Sequence, residues 1–185
     1  KGDRVVSDNG ISCRECEACL RGDMEHCRHH RSVGTIDCWE GSYAEYIVIP
    51  ECHLYHLPDS INYKKGALIE PLTIAYAGMT KYPVDSNTTV AVIGTGPIGM
   101  SAVAIAKQMN AKKIICIGRT DVKLEIAKKS GATHTININK TDTVKEIEAI
   151  TNGLGVDFTV ETSGASSTVQ QVIDITRAHG YIAMI

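Results

Sequence analysis

Thr88-Thr89-Val90-Ala91-Val92-Ile93-Gly94-Thr95-Gly96-Pro97-Ile98-Gly99 sets a Gly-x-Gly-x-x-Gly array directly behind an apolar, β-branched run. The run reads as a strand buried on both faces, and the stretch Ile98–Met109 behind it carries apolar residues at helical spacing. A glycine triplet alone is a weak signal. Between a strand and a helix it is a dinucleotide-binding turn. Gly94 permits the tight turn, Gly96 lets a pyrophosphate approach the backbone, and Gly99 lets the helix lie against the strand. The helix start, with Pro97 and Ile98, offers free N–H groups and a positive dipole end to the phosphates.

Outward from that turn the pattern repeats. Strand-like runs fall at Thr89–Ile93, Lys113–Ile117, His134–Ile138, Asp157–Glu161 and Tyr181–Ile185, with amphipathic stretches at Ile98–Met109, Asp121–Lys129, Thr143–Thr151 and Ser167–Arg177. Buried strands separated by helices of that length predict an α/β fold with a parallel, doubly wound sheet over residues 81–185. Residues 1–80 mix short strands with turn-rich loops; strands are expected at Arg4–Ser7, Ser42–Pro50 and His53–Leu57. Lys64–Gly78 reads as helical, with Pro71 as a break or a fresh start. The strand-like Val5-Val6 has no earlier strand to pair with, and the apolar Tyr181–Ile185 stops without a turn. Both ends are therefore expected to continue in a longer polypeptide.

The end of the second strand bears on the cofactor. Enzymes that use NAD usually place an acidic residue about 20 residues beyond the glycines, bonded to the ribose hydroxyls. Here the sequence is Ile115-Cys116-Ile117-Gly118-Arg119-Thr120. Gly118 removes the carboxylate that would repel a 2′-phosphate, Arg119 supplies a guanidinium for it, and Lys123 follows on the next helix. Asp121 is the opposing residue, although it suits the first turn of a helix. The expectation is NADP(H) over NAD(H).

Four of the seven cysteines, Cys13, Cys16, Cys19 and Cys27, lie within fifteen residues; Cys38, Cys52 and Cys116 are scattered. Four thiolates on one short loop suit a closed, structural zinc site, about residues 10–30. His26, His29 and His30 read as surface residues, since four sulfurs already complete the shell. A formal charge of -2 gives no basic field for nucleic acid or anionic membrane. No apolar run is long enough to cross a bilayer, and the opening residues do not resemble a signal peptide, so a cytoplasmic enzyme is expected.

Taken together, Gly2-Asp3-Arg4-Val5, the four-cysteine loop, Gly41-Ser42-Tyr43-Ala44-Glu45-Tyr46, Glu70-Pro71-Leu72 and the glycine turn resemble the zinc-dependent medium-chain alcohol dehydrogenases. Their order covers essentially the whole chain. The resemblance implies part of a GroES-like catalytic domain with a structural zinc lobe, followed by an incomplete nicotinamide-dinucleotide-binding Rossmann domain. Glu70-Pro71-Leu72 is similar to the sorbitol, threonine and butanediol dehydrogenase branch, in which the glutamate lies at the catalytic zinc. The resemblance implies that the other ligands of that zinc lie upstream of Lys1, so the chain alone is expected to be inactive. Thr162 and Ser163 are expected beside the nicotinamide ribose. The implied reaction interconverts a secondary alcohol or polyol with a ketone, in a homo-oligomeric full-length protein. The alternative is a non-catalytic, zinc-stabilised dinucleotide-binding fragment or sensor.

Overall fold

A computed structural model describes residues 1–35 and 40–185, so Cys38 lies outside the described residues. The chain forms two compact units, Lys1–Glu70 and Pro71–Ile185.

In the second unit, β5 (Thr89–Ile93), β6 (Lys113–Gly118), β7 (His134–Asn137), β8 (Val156–Glu161) and β9 (Thr176–Met184) form one parallel sheet in the order β7-β6-β5-β8-β9. Helices α4 (Pro97–Gln108), α5 (Asp121–Ser130), α6 (Thr143–Thr151) and α7 (Thr168–Ile175) connect the strands. Strand period 2 sends alternate residues to opposite faces. Val90, Val92, Ile114, Cys116, Phe158 and Val160 pack with α4 and α5, while Ala91, Ile93, Ile115 and Ile117 pack with Ile147 of α6 and Val172 and Ile175 of α7. Two separate cores, one on each face, make the sheet doubly wound, as expected. Each fully buried branched side chain contributes roughly 1.5–3 kcal/mol, so this layer holds the unit together. Cys116 is fully buried, and burial pushes its thiol up to about 12, which leaves it a core hydrophobe.

The ends of this sheet depart from expectation at one place. β9 begins at Thr176, not Tyr181, and takes the last two residues of the predicted Ser167–Arg177 helix. Val156 pairs with Thr176 but Phe158 pairs with Tyr181, so β9 carries a bulge, and within it His179 has φ 60°. A bulge breaks the apolar alternation that marks a strand in sequence.

The first unit holds short ladders: β1 (Val5–Ser7) pairs antiparallel with β4 (Leu54–His56), and β2 (Gly10–Ile11) with β3 (Arg31–Ser32). The partner of β1 is therefore a later strand. No strand forms over Ser42–Pro50, where Tyr43, Tyr46 and Val48 are largely exposed. Aromatic and β-branched content raises strand propensity, but no regular ladder is formed over this segment, and propensity acts only through such pairing. Two helices, α1 (Glu17–Leu20) and α2 (Tyr63–Gly66), precede α3 (Ile69–Met79), which carries Pro71 in its first turn, where a missing N–H costs nothing. Ala75 and Met79 of α3 are fully buried in the core shared with α4 and α5. That burial moves the division between units from the expected 80/81 to Glu70/Pro71. No helix among the described residues is long and apolar enough to cross a membrane.

Candidate functional site

β5 lies between β6 and β8, so the order of the parallel strands reverses there and opens a crevice at the carboxyl ends of the three strands. A cavity of about 370 Å³ occupies it. Gly94, Gly96, Gly118, Arg119, Lys123, Thr162 and Ser163 all line this cavity, although the sequence scatters them over seventy positions. The three remaining residues of the turn do not. Pro97 and Ile98 form the first turn of α4, with Ile98 packed against the core, and Gly99 is buried. Their part is to hold the helix end that faces the cavity.

The glycines are explained by what a Cβ would meet. Gly94 has φ 113°, and a Cβ there would stand 2.4 Å from Thr162 Oγ1. At Gly99 it would stand 2.2 Å from the Gly94 carbonyl oxygen, and at Gly118 2.5 Å from Thr95 Cγ2. Gly96, by contrast, has nothing within 4 Å, so the backbone there faces open space. Thr162 ties the turn to β8: its amide and hydroxyl donate to the Ile93 carbonyl at 2.9 and 2.8 Å. Arg119 and Lys123 are exposed and make no side-chain hydrogen bond or salt bridge among the described residues. No Asp or Glu lines the cavity among the described residues. Ile138 and Gln171 also line it and were not anticipated as site residues; Ile138 closes the third predicted strand at the same edge.

Sequence reasoning also missed Glu161. It ends β8 at 2% exposure, where an apolar run conceals its role. One carboxylate oxygen accepts the Ser163 amide at 2.8 Å and also the Ser163 hydroxyl; the other accepts the Gly164 amide at 3.2 Å. Burial pushes its pKa up, but the donated hydrogen bonds outweigh that and hold it below the usual carboxylate range. The ionised carboxylate thus shapes the turn that presents Thr162 and Ser163. Because its folded pKa is depressed, its stabilisation is present above the unfolded value and lost as pH falls through the folded one. Glu161→Gln is expected to lower stability by roughly 1–3 kcal/mol at neutral pH, since an amide nitrogen must face an N–H donor. Thermal unfolding of both proteins against pH checks this: the gap should narrow on acidification, and a gap that does not change with pH would count against an ionised Glu161.

A second site lies in the first unit. Cys13, Cys16, Cys19 and Cys27 bring four sulfurs within 4.8 Å of one another. The Cys13–Cys19 and Cys16–Cys27 sulfurs are 3.9 Å apart, and Cys16–Cys19 and Cys13–Cys27 3.5 Å. Zinc–sulfur bonds of about 2.3 Å in a tetrahedron require sulfur–sulfur edges of ~3.8 Å. The distances fit zinc, and they are far too long for disulfides. Amides of Cys16 and Cys13 donate to Cys13 and Cys27 sulfurs at 3.3 Å, and His29 N donates to Cys27 at the same distance. Backbone donors lower Cys16 to about 6 and lower Cys27 as well, while burial pushes Cys19 up to about 12. His26, His29 and His30 are exposed, and His26 Nδ1 pairs with Asp23 at 2.7 Å. These histidines therefore stay outside the sulfur shell.

Glu70, in the first turn of α3, is exposed and accepts a hydrogen bond from Asn9 Nδ2 at 3.0 Å. Among the described residues, the four cysteines are the only group placed to hold a metal ion.

Comparison with known proteins places this geometry in context. Residues 1–59 match the alcohol dehydrogenase GroES-like domain, and residues 97–185 match the zinc-binding dehydrogenases. Sorbitol dehydrogenase of Bacillus subtilis (strain 168) is 36% identical over 184 residues, covering 100% of this chain and 52% of that protein. D-xylulose reductase A of Aspergillus oryzae (strain ATCC 42149 / RIB 40) is 33% identical, covering 97% and 51%. The chain spans about half the length of the curated relatives it matches. Alcohol dehydrogenase TADH from Thermus sp. ATN1 superposes with a TM-score of 0.92 at 28% identity, over 100% of this chain and 56% of that one. A protein of Sinorhizobium meliloti 1021 assigned to the zinc-binding dehydrogenases, solved bound to NADP, gives 0.89 at 30% identity over 99% and 54%.

Proposed function

The chain belongs to the zinc-dependent medium-chain alcohol dehydrogenase family, in its sorbitol dehydrogenase-like branch, and we propose that the whole protein transfers hydride between NADP(H) and a secondary alcohol or polyol. The observation that carries the cofactor preference is the pair of cations, Arg119 and Lys123, unpaired among the described residues on a cavity that no carboxylate lines among them. In this reading Gly94, Gly96 and the first turn of α4 receive the pyrophosphate, Arg119 and Lys123 the 2′-phosphate, and Thr162 and Ser163 the nicotinamide ribose. Cys13, Cys16, Cys19 and Cys27 hold the structural zinc. Glu70 contributes to the catalytic zinc, whose other ligands the family resemblance puts outside these residues.

Zinc and nicotinamide supply general chemistry when bound: the metal polarises an alcohol oxygen and lowers its pKa, and the ring exchanges a hydride. The chain's own contribution is binding and orientation. Thr162 locks the glycine turn to β8 through the Ile93 carbonyl, and Glu161 fixes Ser163, so the reactive end of the cofactor meets a preformed surface. Homo-oligomer assembly and a cytoplasmic location belong to the same proposal.

The test is a fluorescence titration of the full-length protein with NADPH and NADH, followed by a screen of secondary alcohols and polyols. NADPH should bind at least about tenfold more tightly, and Arg119→Leu should raise its Kd by roughly 10–100-fold with little effect on NADH. Equal affinities would end the NADP(H) assignment. Binding without turnover of any alcohol or ketone would favour a dinucleotide sensor. Activity that survives complete removal of metal would end the zinc role.

A further inference from the structure

We infer that Lys140 and Asn137 are specificity-determining residues: they take up the Asp121 carboxylate and so leave Arg119 and Lys123 free for an anionic cofactor. The inference rests on the NADP(H) reading above and deepens it. Asp121 sits between the two cavity cations in sequence, at the start of α5 and two residues from Arg119, and neither cation pairs with it. Its Oδ1 accepts from Asn137 Nδ2 at 2.7 Å and its Oδ2 from Lys140 Nζ at 2.6 Å. Both oxygens are therefore committed to the turn that follows β7.

That turn is built to reach this place. The Ile138 amide continues the sheet by donating to the Gly118 carbonyl at 3.0 Å. Asn139 Nδ2 donates to the Arg119 carbonyl at 3.0 Å, and its amide donates to Asn137 Oδ1 at 3.0 Å. The Lys140 amide closes onto the Asn137 carbonyl at 2.9 Å. The backbone around Gly118 and Arg119 and the carboxylate of Asp121 are thus held by one short segment. Lys140 also brings a positive charge that cancels Asp121 locally. With Lys140 paired, the rim keeps two uncompensated cations beside the point where β6 ends. Without it, Asp121 would compete with a 2′-phosphate for the neighbouring Arg119 and lower the positive field at Lys123.

The experiment is calorimetric titration of the full-length protein and the variants Lys140→Met, Asp121→Asn and Lys140→Met/Asp121→Asn with NADPH and NADH. Lys140→Met should raise the NADPH Kd about fivefold and leave NADH within about twofold, as expected for a partly exposed charge pair. Adding Asp121→Asn should return NADPH binding to within about twofold of the parent, because the freed carboxylate is gone. No change in Lys140→Met overturns the inference. So does a loss that Asp121→Asn does not rescue, since Lys140 would then meet the phosphate itself. Failure of the underlying reading looks different: the unsubstituted protein would not prefer NADPH and Arg119→Leu would change nothing, and both proposals would fall together. Lys140 and Asp121 are exposed, so unchanged thermal unfolding verifies that all variants are folded.

Discussion

Cys27→Ser protein is expected to lose its zinc and to leave residues 12–31 without protection from amide exchange. The reason is how little else holds that segment. Its regular structure is a four-residue helix, a three-residue 3-10 turn and a two-residue ladder. Apart from the cysteines, its one buried apolar side chain among the described residues is Ala18, with Ile11 directly before it. Burial of two such groups contributes only a few kcal/mol, about 3–4 at most, against an ordering cost of roughly 1–2 kcal/mol for every residue. A closed four-sulfur zinc site supplies apparent binding free energies of about 10–16 kcal/mol in comparable small modules. The metal is therefore the core of the lobe, and removing one sulfur also opens the shell. Metal analysis with hydrogen exchange checks this, with β5 and β6 as the protected reference. Retained protection in zinc-free protein would defeat the argument. Acid should act in the same direction: released thiolates take up protons, so zinc affinity falls with pH.

How far the sequence led depended on whether a signal was local. β5 and α6 have the expected boundaries because their neighbours in sequence specify them: a glycine turn after Ile93, and Asp142 capping α6 with bonds to the amides of Val144 and Lys145. The cysteine cluster was equally legible, since its close spacing suits one four-sulfur shell. The misses are tertiary. Ser42–Pro50 has strand composition, but a strand depends on the ladder it joins, and no regular strand forms there. Glu161 looks like the last residue of an apolar run until Ser163 and Gly164 turn their amides onto it. Asp121 could be weighed against Arg119 from sequence, yet its commitment to Asn137 and Lys140 depends on β7 lying beside β6.

The same distinction between local and tertiary demands separates two glycines three residues apart. Gly99→Ala is expected to destabilise the fold by about 3 kcal/mol, whereas Gly96→Ala should cost about 1 kcal/mol or less, yet both should weaken cofactor binding. A Cβ at position 99 would lie 2.2 Å from the Gly94 carbonyl oxygen and 2.8 Å from Thr162 Oγ1, so α4 must move away from β5. The helix end and the turn would be displaced together, and cofactor affinity would fall because the site is no longer assembled. At position 96 the added methyl meets no protein atom within 4 Å, and φ is an ordinary -83°. The protein should fold normally and lose NADPH affinity about tenfold or more, because the methyl takes space that the pyrophosphate needs against the backbone. Chemical denaturation paired with NADPH titration distinguishes the two. A Gly96→Ala protein that binds NADPH as tightly as the parent would mean that the phosphates lie elsewhere on the cavity wall. A Gly99→Ala protein of undiminished stability would mean that the contact between α4 and β5 is looser than these distances require.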